Sequence, residues 1–261
     1  MSKKRILILI PARFASTRFP GKPLAKILGI SMIQRVLENC SHASAPGFEF
    51  ESFVVTDDPK VEEHIKSFSS NVVRVDDDVI SGTLRIQLAY ERFFKDRNNE
   101  RNYDLVINVQ GDEPLLDSSD LVKLAQFHLK SSFDITTLVK KQMGFEEDFH
   151  DYNKVKVAMS EETGTAFYFS RAAIPYKRDT NADLENDYWF LHIGVYSYRP
   201  NALTRFSSHP ETRLENLEKL EQLRALEIGL TIGAHKTESI VVGVDRPEDI
   251  KKVEEVLNDR K

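Results

Sequence analysis

A chain of 261 residues with 36 Lys and Arg against 41 Asp and Glu carries a formal charge of −5, a poor field for non-specific nucleic-acid binding. Hydrophobic residues make up 41% and charged residues 30%, with 16 Phe and 8 Tyr, which excludes a disordered chain and suits one large α/β domain. The single cysteine, Cys40, excludes an intrachain disulfide framework and a Cys-rich zinc site, and the 7 histidines show no metal-ligand spacing.

The apolar run Ile6–Ile10 is too short for a signal h-region or a membrane span. The expectation is a soluble protein of a reducing cytoplasm, with no membrane and no nucleic-acid partner. The same run reads as a strand covered on both faces, as in a parallel sheet, ended by Pro11. Met32, Val36 and Leu37 give Ser31–Cys40 helical spacing. Phe53–Thr56 reads as a strand, after which Asp58 caps a helix opening at Pro59. Val72–Val75 is a strand, Thr83–Phe94 a helix, Leu105–Val109 a buried strand, Ser118–Ser131 an amphipathic helix behind the cap-like DSSD, and Asp134–Val139 a strand.

From about Lys140 the rhythm changes. KKQMGFEEDFHDYNK reads as a charged connection, followed by partly antiparallel strands at Lys154–Met159, Ala166–Ser170 and His192–Tyr198. Leu214–Leu226 reads as one helix with Leu217, Leu220, Leu223 and Leu226 on its core stripe. Thr231–Ala234 and Ile240–Val244 are expected strands, and Asp245 is placed to cap a last helix from Pro247 to about Leu257. The alternation predicts a single Rossmann-like α/β domain over 1–261. Its sheet is doubly wound and mainly parallel, with a smaller antiparallel sub-sheet at about 140–212 that offers an oligomer surface. Ligands of such sheets bind beyond the carboxyl ends of the strands, so the polar segments after Ile10, Val55 and Val109 belong together.

Several groups on these segments carry chemistry. Arg13, Arg18 and Lys22, with Ser16, Thr17 and Gly21, form a loop suited to a polyphosphate, or a solvated basic surface. The loop is neither G-x-x-x-x-G-K-[ST] nor G-x-G-x-x-G. In Gln110-Gly111-Asp112-Glu113-Pro114, carboxylates leave a strand where Gly111 permits close backbone approach. They suit Mg²⁺ or an ordinary helix cap. Asp245 is a cap or a second metal carboxylate. Ser81-Gly82-Thr83 with Arg85 is a helix cap or a nucleotide contact. His192 reads as a core residue or a functional one, and Glu221 and Gln222 sit on a charged helix.

The strings IPARFASTRFPGKPL, SGT-x-R, VINVQGDEPLL, NKVKVAM, AFYFSRAAIPY, LHIGVYSYR, LEKLEQLRALE and VGVDRPEDI run in order along nearly the whole chain. Together they resemble the CMP-Kdo synthetases, the 3-deoxy-manno-octulosonate cytidylyltransferases. Sialic-acid cytidylyltransferases share the first loop but not the VQGDEP and LEQLR pairing. The resemblance implies a cytoplasmic, Mg²⁺-dependent homodimer that joins CMP from CTP to an eight-carbon 3-deoxy-2-keto sugar acid (Kdo or its 8-amino analogue), releases pyrophosphate and feeds lipopolysaccharide assembly. It places the triphosphate on Arg13 and Lys22, and the base and ribose on Ser81, Gly82, Arg85 and Gln110. It places the metal on Asp112 and Asp245, and the sugar on Arg171, His192, Glu221 and Gln222. Arg13, Lys22, Asp112 and Asp245 are then the catalytic set. One position departs from the family pattern: Leu84 stands where an acidic residue is common, preceded by Ile80.

Overall fold

The computed structural model describes residues 3–15, 19–79, 81–96, 102–178, 187–240 and 242–259. The chain divides into two compact units, Met1–Ala125 with Ser239–Lys261, and Gln126–Glu238. The sub-sheet expected at about 140–212 falls inside the second.

In the first unit, β1 (Lys4–Ala12) is followed by a 3-10 turn at Lys22–Leu24 and a small hairpin, β2 (Lys26–Ile27) and β3 (Ile30–Ser31). Next come α1 (Met32–Ser41), β4 (Phe48–Thr56), α2 (Pro59–Lys66), β5 (Val72–Arg74), α3 (Gly82–Ala89) with a π turn at Tyr90–Phe94, and β6 (Leu105–Val109). The unit's four long strands run parallel in the order β6-β1-β4-β5. Ile6–Ile10 is fully buried on both faces. Each such side chain contributes on the order of 1.5–3 kcal/mol relative to exposure. β1 outruns the predicted stop at Pro11: Pro11 and Ala12 pair in register with Val55 and Thr56. The β6 ladder has ended by Leu9↔Asn108, so the N–H that Pro11 lacks costs that side nothing.

Helix starts follow local chemistry. Ser31 Oγ accepts from Gln34 N, Asp58 Oδ1 from Lys60 N, and Ser81 Oγ from Leu84 N. α4 (Ser118–Lys130) opens behind Asp117, whose Oδ1 accepts from Ser119 N, and the unit boundary falls within this helix.

The second unit is built on β7 (Ile135–Met143), α5 (Glu147–His150), β8 (Lys156–Met159), β9 (Ala166–Ser170) and β10 (Tyr188–Tyr198). It continues with α6 (Pro200–Ser208), α7 (Arg213–Glu218), α8 (Gln222–Glu227) and β11 (Ile232–Lys236). β10 pairs antiparallel with β7 and β8, β8 antiparallel with β9, and β11 parallel with β7. Three expectations are corrected here. KKQM belongs to β7, its charges lying on the partly exposed end of a strand paired with β10. The single helix over Leu214–Leu226 is two, because Lys219 takes a left-handed conformation at φ 52. A capping box between Thr212 and Glu215 starts the first of them. In consequence Leu217 is 65% exposed while Leu220 and Leu223 are buried.

The chain then returns to the first unit. Ile240 and Val242–Val244 form no strand, and Val241 lies outside the described residues. Val244 instead makes one backbone bond to Asp112 O and buries its side chain with Ile27, Met32, Leu115 and Val253. The last helix, α9 (Asp249–Asp259), starts later than Pro247. Asp249 Oδ2 accepts from Asp245 N and Arg246 N at its start.

Candidate functional site

The carboxyl ends of β1 and β6 open onto a cavity of about 390 Å³ lined by Arg13, Lys22, Gly82, Gln110, Gly111 and Asp112, among others. Five residues expected to bind nucleotide or metal thus converge from segments far apart in sequence. Close approach makes this possible: a Cβ on Gly111 would stand 2.9 Å from Pro11 O. The loop after β1 closes by Gly21 N donating to Phe14 O, with Gly21 at φ 70. Its third cation, Arg18, and the hydroxyls Ser16 and Thr17 lie outside the described residues, as does Ile80.

Gln110 is oriented by a polar chain. Its Nε2 donates to Asn108 Oδ1, and the Asn108 amide donates to Thr83 Oγ1 beneath α3. Ser81 caps that helix, and Leu84 lies on its first turn. Arg85 sits deeper than a surface contact would. Its side chain is 2% exposed, bonded to Asp57 Oδ2 at 2.8 Å and to Val75 O. Burial lowers its pKa first, Asp57 opposes that, and nearby Arg13 adds to the lowering. It braces the ends of β4 and β5 and adds positive field under the cavity.

Lys22 connects the loop to the carboxylates. Its Nζ donates to Asp112 Oδ2 at 2.5 Å and Val244 O at 2.8 Å, with Asp245 Oδ1 at 3.8 Å. Glu113, quoted in the sequence motif without a role, belongs to the same group. Its buried Oε2 has no hydrogen-bond partner, and burial, then Asp112, pushes its carboxyl up to about 8, against the pull of Lys22. The signal for it was the doubled acid after a buried strand, of which only one can face outward. Among the described residues, no three His, Cys, Asp or Glu side chains gather as a metal cage. An ion held by one or two carboxylates and by substrate phosphates needs no such cage.

The four expected sugar residues lie in the second unit. His192 Nε2 is 3.2 Å from Thr137 Oγ1, which also reaches Val195 O at 2.8 Å. The Thr137 hydroxyl therefore donates to the carbonyl and His192 donates from Nε2, leaving Nδ1 as the acceptor. Desolvation pushes the imidazole down to about 3, so it is neutral at physiological pH. Its ring packs against Phe169 and Tyr196, at 5.3 Å each. Tyr196 has its phenol pKa raised by burial, then by Tyr198 and Glu221, which brings Glu221 to this cluster. Gln222 is 7% exposed and its Nε2 is buried without a partner. Arg171 holds the C-terminus of α7: Nε donates to Glu218 O at 2.7 Å and Nη1 to Tyr152 O at 3.0 Å. Buried Lys156 in turn fixes Arg171 O, Asp151 O and Lys154 O from one ammonium.

The family profile described as cytidylyltransferase matches residues 7–237. The 3-deoxy-manno-octulosonate cytidylyltransferase of Thermodesulfovibrio yellowstonii is 38% identical over 97% of this chain and 98% of its own length. The 8-amino-3,8-dideoxy-manno-octulosonate cytidylyltransferase of a Shewanella species is 40% identical over 97% and 98%. A solved structure of CMP:2-keto-3-deoxy-manno-octonic acid synthetase complexed with CTP superposes with a TM-score of 0.86 at 33% identity, covering 99% of this chain and 100% of that one.

Proposed function

The chain belongs to the cytidylyltransferase family, and from that premise we propose that it transfers CMP from CTP to the anomeric 2-hydroxyl of Kdo, releasing pyrophosphate. The observation that carries this is the cavity at the ends of β1 and β6, where Arg13, Lys22, Gln110 and Asp112 converge. The hydroxyl gives up its proton to water, its oxygen bonds to the α-phosphorus as the bridge to the β-phosphate breaks, and pyrophosphate leaves with the electrons of that bond. Such a transfer needs positioning and charge neutralisation more than a protein nucleophile, which suits a cavity built from cations, an amide and backbone.

Arg13 and Lys22 offset the charge of the triphosphate. Gln110, held by Asn108, presents its amide to the base or ribose beside Gly82, where a side chain would meet Pro11 at 3.1 Å. Ser81 shapes the first turn of α3 and Arg85 supports it from beneath. In the second unit, neutral His192, Glu221, Gln222 and Arg171 supply acceptors and donors for a polyhydroxy acid, the buried Gln222 Nε2 being a donor still to be satisfied. Asp112, Asp245 and Val244 O already surround one cation, the Lys22 ammonium. That hard oxygen set fits Mg²⁺. When bound, Mg²⁺ supplies charge neutralisation at the phosphates and lowers the pKa of the attacking hydroxyl.

The same proposal includes a cytoplasmic enzyme of lipopolysaccharide assembly working as a homodimer. Among the described residues no helix is long and apolar enough to cross a membrane. For the dimer, β9 pairs with β8 alone among the described strands, and Phe167 on it is 62% exposed. Phe167 borders an apolar cleft of about 290 Å³ with Val157, Met159, Pro175, Tyr188 and Phe190, a surface suited to a second copy of the chain.

Pyrophosphate release tests the reaction, with CTP, UTP, ATP and GTP each offered against Kdo, 8-amino-Kdo and sialic acid. CTP with Kdo should be the productive pair. No release with any pair refutes the activity. A tenfold preference for the 8-amino sugar, about 1.4 kcal/mol, moves the assignment to that substrate.

A further inference from the structure

Lys22 stands where a divalent cation would stand. Its ammonium has three N–H donors. It uses one on Asp112 Oδ2 at 2.5 Å and one on Val244 O at 2.8 Å, with Asp245 Oδ1 at 3.8 Å. Its side chain is 16% exposed, so the charge is held inside the group rather than in water. Glu113 adds a third carboxyl close by: a Cβ on Gly243, which leads into Val244, would lie 3.3 Å from Glu113 Oε1. Two carboxylate oxygens and a carbonyl are the donor types a hard divalent ion takes. One cradle of this size cannot hold an ammonium and a divalent ion together, because two cations a few ångströms apart repel strongly in a partly buried site.

We infer that Lys22 is a built-in counter-ion that holds the metal carboxylates until the nucleotide arrives, so that metal and CTP bind with positive coupling through the movement of this one side chain. The inference rests on the reading of Asp112 and Asp245 as metal carboxylates. The backbone at Lys22 is anchored, its N donating to Phe19 O at 3.2 Å and its O accepting from Ala25 N at 3.1 Å. The movement is therefore a rotation of the flexible stem. Lys22 and Arg13 line the same cavity, so an ammonium leaving Asp112 stays within the space proposed for the triphosphate. Metal alone must displace Lys22 without giving it a new anion. Nucleotide alone must draw Lys22 away from Asp112 and so give up their 2.5 Å ion pair. Together each relieves the penalty of the other, and linkage requires the effect to be reciprocal.

Direct metal binding tests this without turnover. Mn²⁺ is titrated into nucleotide-free protein and free Mn²⁺ is read by its paramagnetic resonance. Lys22→Met should bind Mn²⁺ at least tenfold more tightly than the wild type, and Lys22→Gln should do the same. A CTP analogue with a methylene bridge between the α- and β-phosphorus should tighten Mn²⁺ binding at least tenfold in the wild type and distinctly less in Lys22→Met. In reverse, Asp112→Asn without metal should bind the analogue several-fold more tightly than the wild type. Equal Mn²⁺ affinity in wild type and both Lys22 variants, or no Mn²⁺ binding by any of them, overturns the inference. The double variant Lys22→Met/Asp112→Asn separates the two levels. If it binds Mn²⁺ as well as Lys22→Met does, Asp112 holds no metal and the site assignment itself fails. If Asp112→Asn abolishes binding while the Lys22 variants tighten nothing, the carboxylates stand and only the counter-ion role falls.

Discussion

Gly111→Ala is the sharpest test of how the fold builds the cavity. The added Cβ would lie 2.9 Å from Pro11 O and 3.4 Å from Ile33 Cδ1. The nearer atom is backbone inside a strand paired in register with β4, so it cannot rotate away as a side-chain tip would. Relief requires the end of β6 to move off the end of β1. Overpacking of this kind costs about 1–3 kcal/mol, and for a chain of this size each kcal/mol lowers Tm by roughly 2–4 °C. The expected fall is about 2–12 °C. Asp112 follows Gly111 directly, so the same shift moves its carboxylate relative to Lys22. Misplacement near 1 Å costs about a hundredfold in rate. Calorimetry and CTP-dependent pyrophosphate release report the two effects separately. Gly82→Ala is the internal comparison: its Cβ would meet the Pro11 ring at 3.1 and 3.3 Å and Gln110 Oε1 at 3.8 Å, side-chain atoms rather than backbone. A better helix former at the first position of α3 offsets part of that contact, so a net change of roughly 0.5 kcal/mol is expected. If Gly111→Ala keeps wild-type Tm and turnover, the close approach of the two strand ends does not organise the site.

Two further outcomes follow from the second unit. His128 is buried, its Nε2 donating to Phe133 O at 3.0 Å and Nδ1 accepting from Ser197 Oγ at 2.8 Å, and desolvation pushes its pKa down to about 4 from 6.5. The unfolded chain takes up this proton first, so stability present above pH 6.5 is lost as pH falls toward 4, by about 3 kcal/mol at 1.36 kcal/mol per unit. His192 adds loss of the same sign down to about pH 3. Urea midpoints between pH 7 and 4 check this, with His128→Gln expected to flatten the slope and an unchanged wild-type midpoint at pH 5 contradicting it. Phe167→Lys should convert the proposed dimer to monomer in sedimentation at micromolar concentration, and a wild type that sediments as a monomer would refute the proposed interface.

What could be read from sequence was local chemistry with a short reach. Ile6–Ile10 and Leu105–Val109 are unbroken apolar runs, so their place at the centre of a parallel sheet followed directly. Asp58 before Pro59 carries its own cap geometry, and the bond to Lys60 N is three atoms of side chain away. The errors fall where a distant partner decides. Pro11 ends an isolated strand, yet here β4 continues alongside it. Ile240–Val244 has strand composition, but Val244 pairs with Asp112 at a single point and its side chain joins the core under α9, so no ladder forms. Lys219 interrupts the 214–226 helix although its residue type favours helix. The turn it makes brings Glu218 to Ser170 Oγ and Arg171 N, bonds to a strand the periodicity of the helix cannot report.

The same division separates the residue types of the site from their pairing. A cationic loop after one strand and paired acids after another suit anion and metal chemistry, and the same acids suit a helix cap. Spacing along the chain, however, holds no information that Lys22 meets Asp112, or that the third oxygen near its ammonium is the backbone of Val244. Those contacts depend on the return of the final segment under the first unit, driven by burial of Val244 and Val253 against Ile27 and Met32. A carbonyl donor has no residue identity at all, and no motif can encode it. The cradle around Lys22 is therefore a product of apolar packing: hydrophobic residues with no chemistry of their own determine which oxygens a cation finds there.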